Sequence, residues 1–480
     1  MLEGFIRKIK PLEILSNEEI EYIHESTLEV LETTGVNFFH EKALNLFKKN
    51  GCEVVGNRVK FPSWLIEECL RKTPSNFKVR ARDPKNDLRI GGNRLYFMSG
   101  AAMRIVDPET WEARPATLKE LDEAIIVVDA LNTAHLIPDT APYTELVEIP
   151  HILAPIVIIA SHLKNSTKVT CSAYGFDSEI FQIKMAKILG VDMLAFLGAS
   201  SPLTYYKDAC EAVFRYAEAK FPFYIVASDV MGGTGPATIA GSLVTTNAEI
   251  LAGLTLIQLI KPGTGIVAGD YTMPLNMRSG HPCFGDLASS LHTVAFNQIM
   301  RRYKIPTFAN CPGFSSSKKI DFQAGYERAL STLTAVLSGA NIIVLHGSIY
   351  GEYTFHPIQA ILDDDVANWV GHFIEGIEVT KETLAVDLIN KVGPIPGSYL
   401  GEEHTRKWWK TQQLIPNAAD RSTYPEWISE GKKTCLEYAK ARIEEILRTH
   451  KVPSLSEDQD EEINNIIKEA EKYYREKGML

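Results

Sequence analysis

The sequence predicts an α/β protein whose core is a closed (β/α)8 TIM barrel, with an N-terminal helical cap and a C-terminal helical extension. Short apolar runs rich in strand-forming residues alternate with helical segments in one repeating order. Eight such pairs follow one another over roughly 280 residues, and eight parallel strands close a barrel without a free edge. An open doubly wound sheet is the alternative, although no G-x-G-x-x-G motif follows the first strand.

Changes in composition divide the chain into three predicted regions. Residues 1–85 form the helical cap, and the turn residues Asp83-Pro84 mark its end. Residues 86–395 form the barrel, which is the predicted catalytic domain, and residues 396–480 form the extension.

Helices are predicted at both ends of the chain. Ser16-Asn-Glu-Glu19 is a capping box that begins the first helix, a second runs from about Glu41 to Lys49, and a third follows Pro62. At the other end, a helix from Tyr424 to Thr449 precedes one from Asp458 to Lys477. The Glu and Lys spacing of the last helix is typical of a solvated face.

The strand predictions follow the apolar runs in chain order. They are residues 95–98, 135–138, 169–173, 193–197, 223–227, 265–269, 307–310 and 342–345. The helices after them are predicted at residues 117–130, 149–163, 178–189, 207–220, 237–259, 285–303, 322–338 and 358–374. Trp111 and Arg114 interrupt the first pair and indicate an inserted hairpin.

Composition excludes several classes of protein. The 50 Lys and Arg residues against 60 Asp and Glu residues give a net charge of -10, which disfavours binding to a nucleic-acid backbone. The 7 cysteines are scattered without a C-x-x-C pair, so we expect free thiols in a reducing compartment. A charged N-terminus and the lack of a long uninterrupted apolar run predict a cytoplasmic protein that does not contact a membrane.

Candidate site residues follow from the barrel, because active sites of such barrels lie where strands end and the next loops begin. We take three residues as catalytic candidates and seven as substrate-binding candidates. The catalytic candidates are His346, Asp229 and Asp270; the substrate-binding candidates are Tyr96, Tyr174, Pro312, Gly313, Tyr350, Tyr353 and Phe355.

The loop after the eighth strand places the imidazole of His346 and three aromatic rings within ten residues. That combination suits an alkylated ammonium, which aromatic faces attract without hydrogen bonds. The alternatives are that the rings pack as core and that His346 is a satisfied interior histidine. Asp229 and Asp270 act as an acid/base pair or position the substrate, or else cap a helix or pair with an arginine.

Other motifs carry less chemistry. Residues 231–237 form either an anion-binding cradle or a tight turn that lets the backbone approach a neighbour. Asp363, Asp364 and Asp365 fall within a barrel helix and are interpreted as a solvated face. No metal site is predicted, because H-E-x-x-H and paired C-x-x-C motifs are missing. No nucleophilic triad is predicted either, because the sequence has no G-x-S-x-G motif.

The stretch from Gly235 to Gly253, GPATIAGSLVTTNAEILAG, resembles the trimethylamine methyltransferase superfamily of corrinoid-dependent enzymes. Further similar segments are spread over nearly the whole chain. They are Pro262-Gly263, Ser317-Lys318, residues 321–327, residues 338–341, Asp363-Asp364, His404-Thr405 and Asp420-Arg421. The resemblance implies a TIM barrel and a cobalamin-type acceptor in the Co(I) state, carried by a separate corrinoid protein, with no tightly bound cofactor on this chain.

The resemblance also bears on the substrate. Founding members of the superfamily use pyrrolysine to capture a tertiary methylamine, and no nonstandard residue occurs here. A quaternary ammonium already has a good leaving group, so a member without pyrrolysine is expected to demethylate one. Similarity to the glycine betaine methyltransferase branch makes glycine betaine the first choice, with dimethylglycine as product. Proline betaine, carnitine or choline are alternatives.

The expected site follows from loop position and chemistry together. Tyr96, Tyr350 and Phe355 surround the ammonium, and His346 with backbone N–H groups near Pro312-Gly313 holds the carboxylate. Two other readings stay open: a barrel that binds a betaine without turning it over, and a lyase or isomerase that uses Asp229 and Asp270 with a divalent metal. The oligomeric state is open, with self-association the analogy from other large metabolic barrels.

Overall fold

The computed structural model describes residues 4–480, and a closed barrel of eight parallel strands lies at its centre. Strands β1 to β8 are Arg94–Ser99, Ala134–Ile137, Val169–Ser172, Leu194–Gly198, Phe223–Ala227, Ile266–Asp270, Thr307–Ala309 and Ile342–His346. Each strand pairs with the next, and β8 pairs with β1 through Ile342 opposite Tyr96 and Ile343 opposite Phe97. The predicted barrel is therefore confirmed.

Eight helices surround the barrel, one after each strand, as the sequence predicts. Helices α1 to α8 are Leu118–Ala130, Ala154–Asn165, Ser178–Leu189, Lys207–Ala219, Ile239–Ile260, Leu287–Tyr303, Phe322–Leu337 and Pro357–Glu375. Within residues 4–480, α5 is the one helix long and apolar enough to cross a membrane. It packs inside the protein instead, with 78% of its most apolar window buried.

Alternation along the strands sorts side chains into two layers. On β1, Tyr96 and Met98 point into the barrel, whereas Leu95 and Phe97 pack outward against the helices. A hairpin of Asn76–Val79 and Leu88–Gly91 packs its apolar side chains into the same inner cluster. The barrel is thus closed at the end where its strands begin, and the opposite end is left for a site.

Three helices lie between residues 4 and 85: Asn17–Thr33, Glu41–Lys49 and Ser63–Lys72. Short strands accompany them: Phe5–Ile6, Val36–Phe38, Glu53–Val55 and Arg58–Lys60, with a 3-10 turn at Pro84–Asn86. Phe5–Ile6 pairs antiparallel with β1, and Val36–Phe38 pairs with Thr204–Tyr205 from the loop after β4. Runs of two or three residues carry no readable period, so these strands were not predicted.

Small sheets border the open end of the barrel. The predicted insertion after β1 is a hairpin of Arg104–Val106 and Ala113–Arg114. It continues into Thr354–Phe355 and Ser348–Ile349 of the loop after β8. A second, two-stranded sheet joins Val230–Met231 to Met273–Pro274, and Cys311–Gly313 forms a 3-10 turn after β7.

The C-terminal region is helical. Its helices are Lys381–Leu384, Val386–Val392, Glu403–Gln412, Tyr424–Ser429, Cys435–Thr449 and Glu457–Glu476. The helix predicted from Tyr424 to Thr449 is split, because Gly431 adopts a φ of 89° between its two parts. The last helix presents its charges to solvent but buries Ile463 and Tyr474. The division at residues 85 and 395 stays a prediction.

Candidate active site at the barrel mouth

A cavity of about 300 Å³ lies at the end of the barrel where the strands end, and it is partly open to solvent. Residues at the ends of β1, β4, β5, β7 and β8 and in the loops after β2, β5, β6 and β8 contribute to its wall. This volume is at the lower end of the range for small-molecule sites. The cavity therefore fits a compact ligand in the position typical of barrel enzymes.

Five aromatic rings form much of the cavity wall. They are Phe196, Tyr224, Tyr271, Phe308 and Phe314. The Tyr224 ring centroid lies 5.1 Å from that of Phe196 and 5.6 Å from that of Phe308, and Tyr271 lies 5.5 Å from Phe314. Such linked faces suit a cation that cannot donate hydrogen bonds.

Asp139 brings one carboxyl group into the cavity from the loop after β2. Only 8% of the residue is exposed, and the Tyr224 hydroxyl donates to its Oδ1 at 2.5 Å. Burial raises the pKa of Asp139, and the hydrogen bond from Tyr224 offsets part of that rise.

Glu352 brings a second carboxyl group from the loop after β8. Glu352 is an exposed residue that lines the cavity. The protein around its carboxyl group removes water from it and raises its pKa to about 7. A hydrogen bond with Tyr271 lowers that pKa, and the charge of Asp139 raises it. The Met103 N–H donates to the Glu352 carbonyl at 3.0 Å, which ties this loop to the one after β1.

The remaining polar groups of the wall are uncharged. They are the side chains of Ser99, Thr140, Ser228 and Asn310. Ser99 is 1% exposed, and within the described part of the chain its hydroxyl has no hydrogen-bond partner. Among the described residues that line the cavity, none is Lys, Arg or His. The site can thus attract a cation and hydrogen-bond a neutral polar group.

The ten candidate residues from the sequence do not line this cavity. The Tyr96 hydroxyl bonds to the backbone of Arg89, at 3.1 Å from its N and 3.3 Å from its O, towards the closed end of the barrel. Tyr174 stacks behind Phe196, with ring centroids 5.6 Å apart, and bonds to Gly198. Tyr174 therefore supports the wall from behind, whereas Tyr96 lies deeper in the barrel.

His346 points away from the cavity. The pairing of β8 with β1 shifts register between Val344 and His346, and this irregularity turns the imidazole outward. Its Nε2 lies 2.8 Å from the Thr133 hydroxyl and 4.0 Å from Asp364 Oδ1. Burial lowers the pKa of His346 to about 3, so the ring is neutral. His346 is thus an interior residue whose Nε2 is paired, while its Nδ1 has no hydrogen-bond partner among residues 4–480.

The three rings of the loop after β8 also lie outside the cavity. Phe355 is fully buried with its ring 5.7 Å from that of Tyr143 at an angle of 89°. The Lys318 ammonium lies 4.4 Å from the ring centroid of Tyr350, and Tyr353 is 42% exposed. Within this loop, Glu352 is the side chain that reaches the cavity.

Asp229 and Asp270 meet in a buried cluster behind the wall. Ser242 donates to Asp229 Oδ1 at 2.9 Å, and Thr293 donates to Asp270 Oδ2 at 2.7 Å. Burial raises the pKa of Asp229 to about 6, with the charge of Asp270 acting in the same direction. His292 Nδ1 lies 3.1 Å from Asp270 Oδ1 without the alignment of a hydrogen bond. This cluster holds the loops that border the cavity.

The glycine-rich segment after β5 is a tight turn. A Cβ on Gly235 would lie 1.9 Å from Asp229 Oδ2, so only glycine lets the backbone approach this carboxyl group. Pro312 and Gly313 are buried in the 3-10 turn after β7, between the lining residues Asn310 and Phe314. They shape the wall and do not face the cavity.

The interpretation of the three consecutive aspartates as a solvated face is wrong. Asp363 and Asp364 are 1% and 4% exposed. Asp363 pairs with the buried guanidinium of Arg328, and Asp364 accepts from Thr133. Asp365 accepts from the Asn417 N–H at 2.6 Å. Helical position alone does not show which face of α8 packs on the barrel.

Sequence reasoning missed the residues that define the cavity, although two of them left a signal. Asp139 directly follows the second predicted strand, and Glu352 lies within the aromatic loop already singled out. Tyr224 and Tyr271 lie inside or just after buried strands, where the sequence reads as core. Within residues 4–480, no three His, Cys, Asp or Glu side chains are grouped to hold a metal ion, and the seven cysteines are free.

Comparisons with known proteins cover almost the whole chain. Residues 1–473 match the family model for trimethylamine methyltransferase (MTTB). A glycine betaine methyltransferase of Desulfitobacterium hafniense is 32% identical over 465 residues, 95% of this chain and 96% of the relative. The trimethylamine methyltransferase MttB of Methanosarcina barkeri is 29% identical, with 97% and 96% covered.

The fold is also found among solved structures. The monomethylamine methyltransferase MtmB of Methanosarcina barkeri matches with a TM-score of 0.53 at 10% identity, over 91% of this chain and 89% of that one.

Proposed function

Since the chain belongs to the trimethylamine methyltransferase family, we propose that it transfers one methyl group from a quaternary amine to Co(I) of a separate corrinoid protein. The observation that carries this proposal is the mouth cavity, in which five aromatic rings and two carboxyl groups surround a space for a compact cation. A quaternary ammonium is the methylated amine that matches this wall.

The transfer needs no proton. The carbon–nitrogen bond breaks, the electron pair stays on nitrogen, and the methyl group bonds to cobalt, which leaves a neutral tertiary amine. Co(I) on the partner protein is a co-substrate and supplies the electron pair for the new bond. This chain's own residues orient the ammonium with one methyl towards the opening and keep water away. Rings that bound the cation too tightly would stabilise the ground state.

Glycine betaine is the specific donor suggested by the sequence resemblance and by the name of the Desulfitobacterium relative. Choline, carnitine and proline betaine belong to the same chemical class. A quaternary donor also accounts for a site built from standard residues only.

The open end of the barrel offers a surface for the corrinoid protein. Loops after β1, β2, β6 and β8 expose apolar side chains there: Met103 at 45%, Val147 at 64%, Met277 at 79% and Tyr353 at 42%. Exposed apolar groups that surround a cavity are typical of a protein-docking face. Approach from this side would bring cobalt to the cavity opening.

The test incubates the purified protein with free cob(I)alamin and a panel of amines, and follows methylcobalamin by its absorbance. We expect activity with at least one quaternary amine. Activity with trimethylamine alone would contradict the proposed substrate class, and tight binding without any methyl transfer would indicate a binding-only barrel.

A matched pair of variants tests the cavity itself. Phe308→Leu removes a ring from the wall, whereas Phe322→Leu changes a residue that is 86% exposed on α7. We expect kcat/KM to fall about tenfold for the first variant, the worth of one cation–π contact, and to stay unchanged for the second. Equal activity of both variants would place the substrate elsewhere.

A further inference from the structure

We propose that Asp139 and Glu352 act as a charge filter in the mouth cavity, favouring a quaternary ammonium with neutral substituents over one that carries a carboxylate. The inference rests on the proposed function, since it concerns the methyl donor of the same site. It ranks a donor with a hydroxyl group, such as choline, above the glycine betaine suggested by the sequence.

The charges of the cavity wall support this ranking. Asp139 and Glu352 enter from the loops after β2 and β8, and the charge of each acts on the same space of about 300 Å³. The described lining residues include no Lys, Arg or His. A substrate carboxylate would therefore lie near two acids without a cationic partner, whereas an ammonium is attracted by both.

The uncharged groups of the wall fit a hydroxyl substituent. The buried Ser99 hydroxyl has no partner among residues 4–480, and Asn310 lies on the same wall. A hydroxyl can donate one hydrogen bond and accept others, so it can satisfy such groups without adding charge.

The two carboxyl groups make the preference depend on pH. The titratable groups that act on the two carboxyl groups are acids or weakly acidic phenols and thiols. Tyr271, Cys311 and Asp139 surround Glu352, and Asp139 is surrounded by Tyr174, Tyr216, Tyr224, Cys171 and Glu352. Enclosure by protein raises the pKa of Glu352 to about 7 and also raises that of Asp139. Below that pH Glu352 is neutral, so the attraction for a cation grows as the pH rises through about 7.

Isothermal titration calorimetry of the full chain, without any corrinoid, measures choline, tetramethylammonium and glycine betaine at pH 6 and pH 8. We expect choline to bind at least about tenfold more tightly than glycine betaine at pH 8, and the ratio to shrink at pH 6. Glycine betaine binding as tightly as choline, betaine affinity that rises towards pH 8 faster than choline affinity, or no binding by either would overturn the proposal.

Variants assign the preference to the two acids. Glu352→Gln and Asp139→Asn should each lower the affinity for choline at least about tenfold, while the affinity for glycine betaine stays the same or rises. The control Glu403→Gln, on an exposed helix, should change neither affinity. Thermal unfolding of each variant checks that it folds. The ratio of choline to glycine betaine affinity in the wild-type protein tests the proposal even if a variant does not fold. Unchanged ratios in both cavity variants would overturn the filter. Binding is measured without cobalt, so failure of the methyl-transfer assay would contradict the proposed function without deciding whether the charge filter exists.

Discussion

Each carboxyl group of the cavity has one tyrosine beside it. Tyr224 donates to Asp139 at 2.5 Å, and Tyr271 lies near enough to Glu352 to lower its pKa. The hydroxyl groups favour the charged carboxylates, while the two rings face the space where a cation would lie. Each of these tyrosines therefore stabilises a carboxylate with its hydroxyl group and forms part of the cavity wall with its ring.

His346 contributes to the stability of the fold rather than to the cavity, because it is buried and bonds to Thr133. We expect His346→Ala to lower the free energy of unfolding by about 2 kcal/mol or more, because it leaves a cavity and removes a partner of Thr133. The KM for the methyl donor should not change, since the ring does not reach the cavity. Urea unfolding and steady-state kinetics measure the two effects.

His372→Ala is the matched control, because its side chain is 60% exposed, and we expect a change within about 0.5 kcal/mol. A tenfold rise in KM for His346→Ala with unchanged stability would instead place this histidine at the substrate.

Helix α8 shows how one element connects several parts of the molecule. Arg328 from α7 bonds to Asp363 and also donates to the carbonyl of Ser348 at 2.8 Å. Asp364 accepts from Thr133, and Asp365 accepts from the backbone of the C-terminal region. The three acids thus connect the last barrel helix to α7, to the start of β2 and to the extension.

Asp363→Ala tests this role. Removing the carboxylate leaves the buried Arg328 guanidinium without its counter-charge, and we expect a loss of about 3–5 kcal/mol in the free energy of unfolding. The control is Asp387→Ala on the exposed helix Val386–Val392, which should change stability by less than about 0.5 kcal/mol. Similar urea midpoints for the two variants would contradict the buried pair.

At the scale of the whole molecule, the barrel is closed at one end and open at the other. The hairpin of residues 76–91 fills the end where strands begin, so under the proposed function both substrates would meet at the opposite end. The exposed apolar loops there are where a second protein would approach. Self-association stays a prediction, and analytical ultracentrifugation tests it.

Met277→Asp separates docking from chemistry. A charge on this residue, 79% exposed after β6, should lower methyl transfer to a protein-bound corrinoid about tenfold and leave transfer to free cob(I)alamin unchanged. Leu330→Asp, on an exposed position of α7, is the control and should affect neither rate. Loss of both activities in Met277→Asp would indicate damage to the site itself.

The barrel was predictable because strand and helix patterns are properties of neighbouring residues. Runs such as Phe223–Ala227 form strands wherever they pack, and eight strands that alternate with helices leave few ways to fold. The family motif from Gly235 to Gly253 was equally readable, yet its polar residues are structural. Glu249 accepts from the Leu203 N–H at 2.7 Å, and Asn247 donates to Tyr303 at 2.9 Å.

The sequence by itself determined the class of fold, the order of its elements and the family. Only the tertiary structure decided which side chains face the cavity, because direction depends on alternation, on the irregularity before His346 and on loops that meet from distant parts of the chain. Asp139 and Glu352 are far apart in sequence and act on one another only once β8 closes against β1. Local sequence patterns predict the secondary structure of a segment, whereas a site is formed by tertiary contacts between segments that are distant in the sequence.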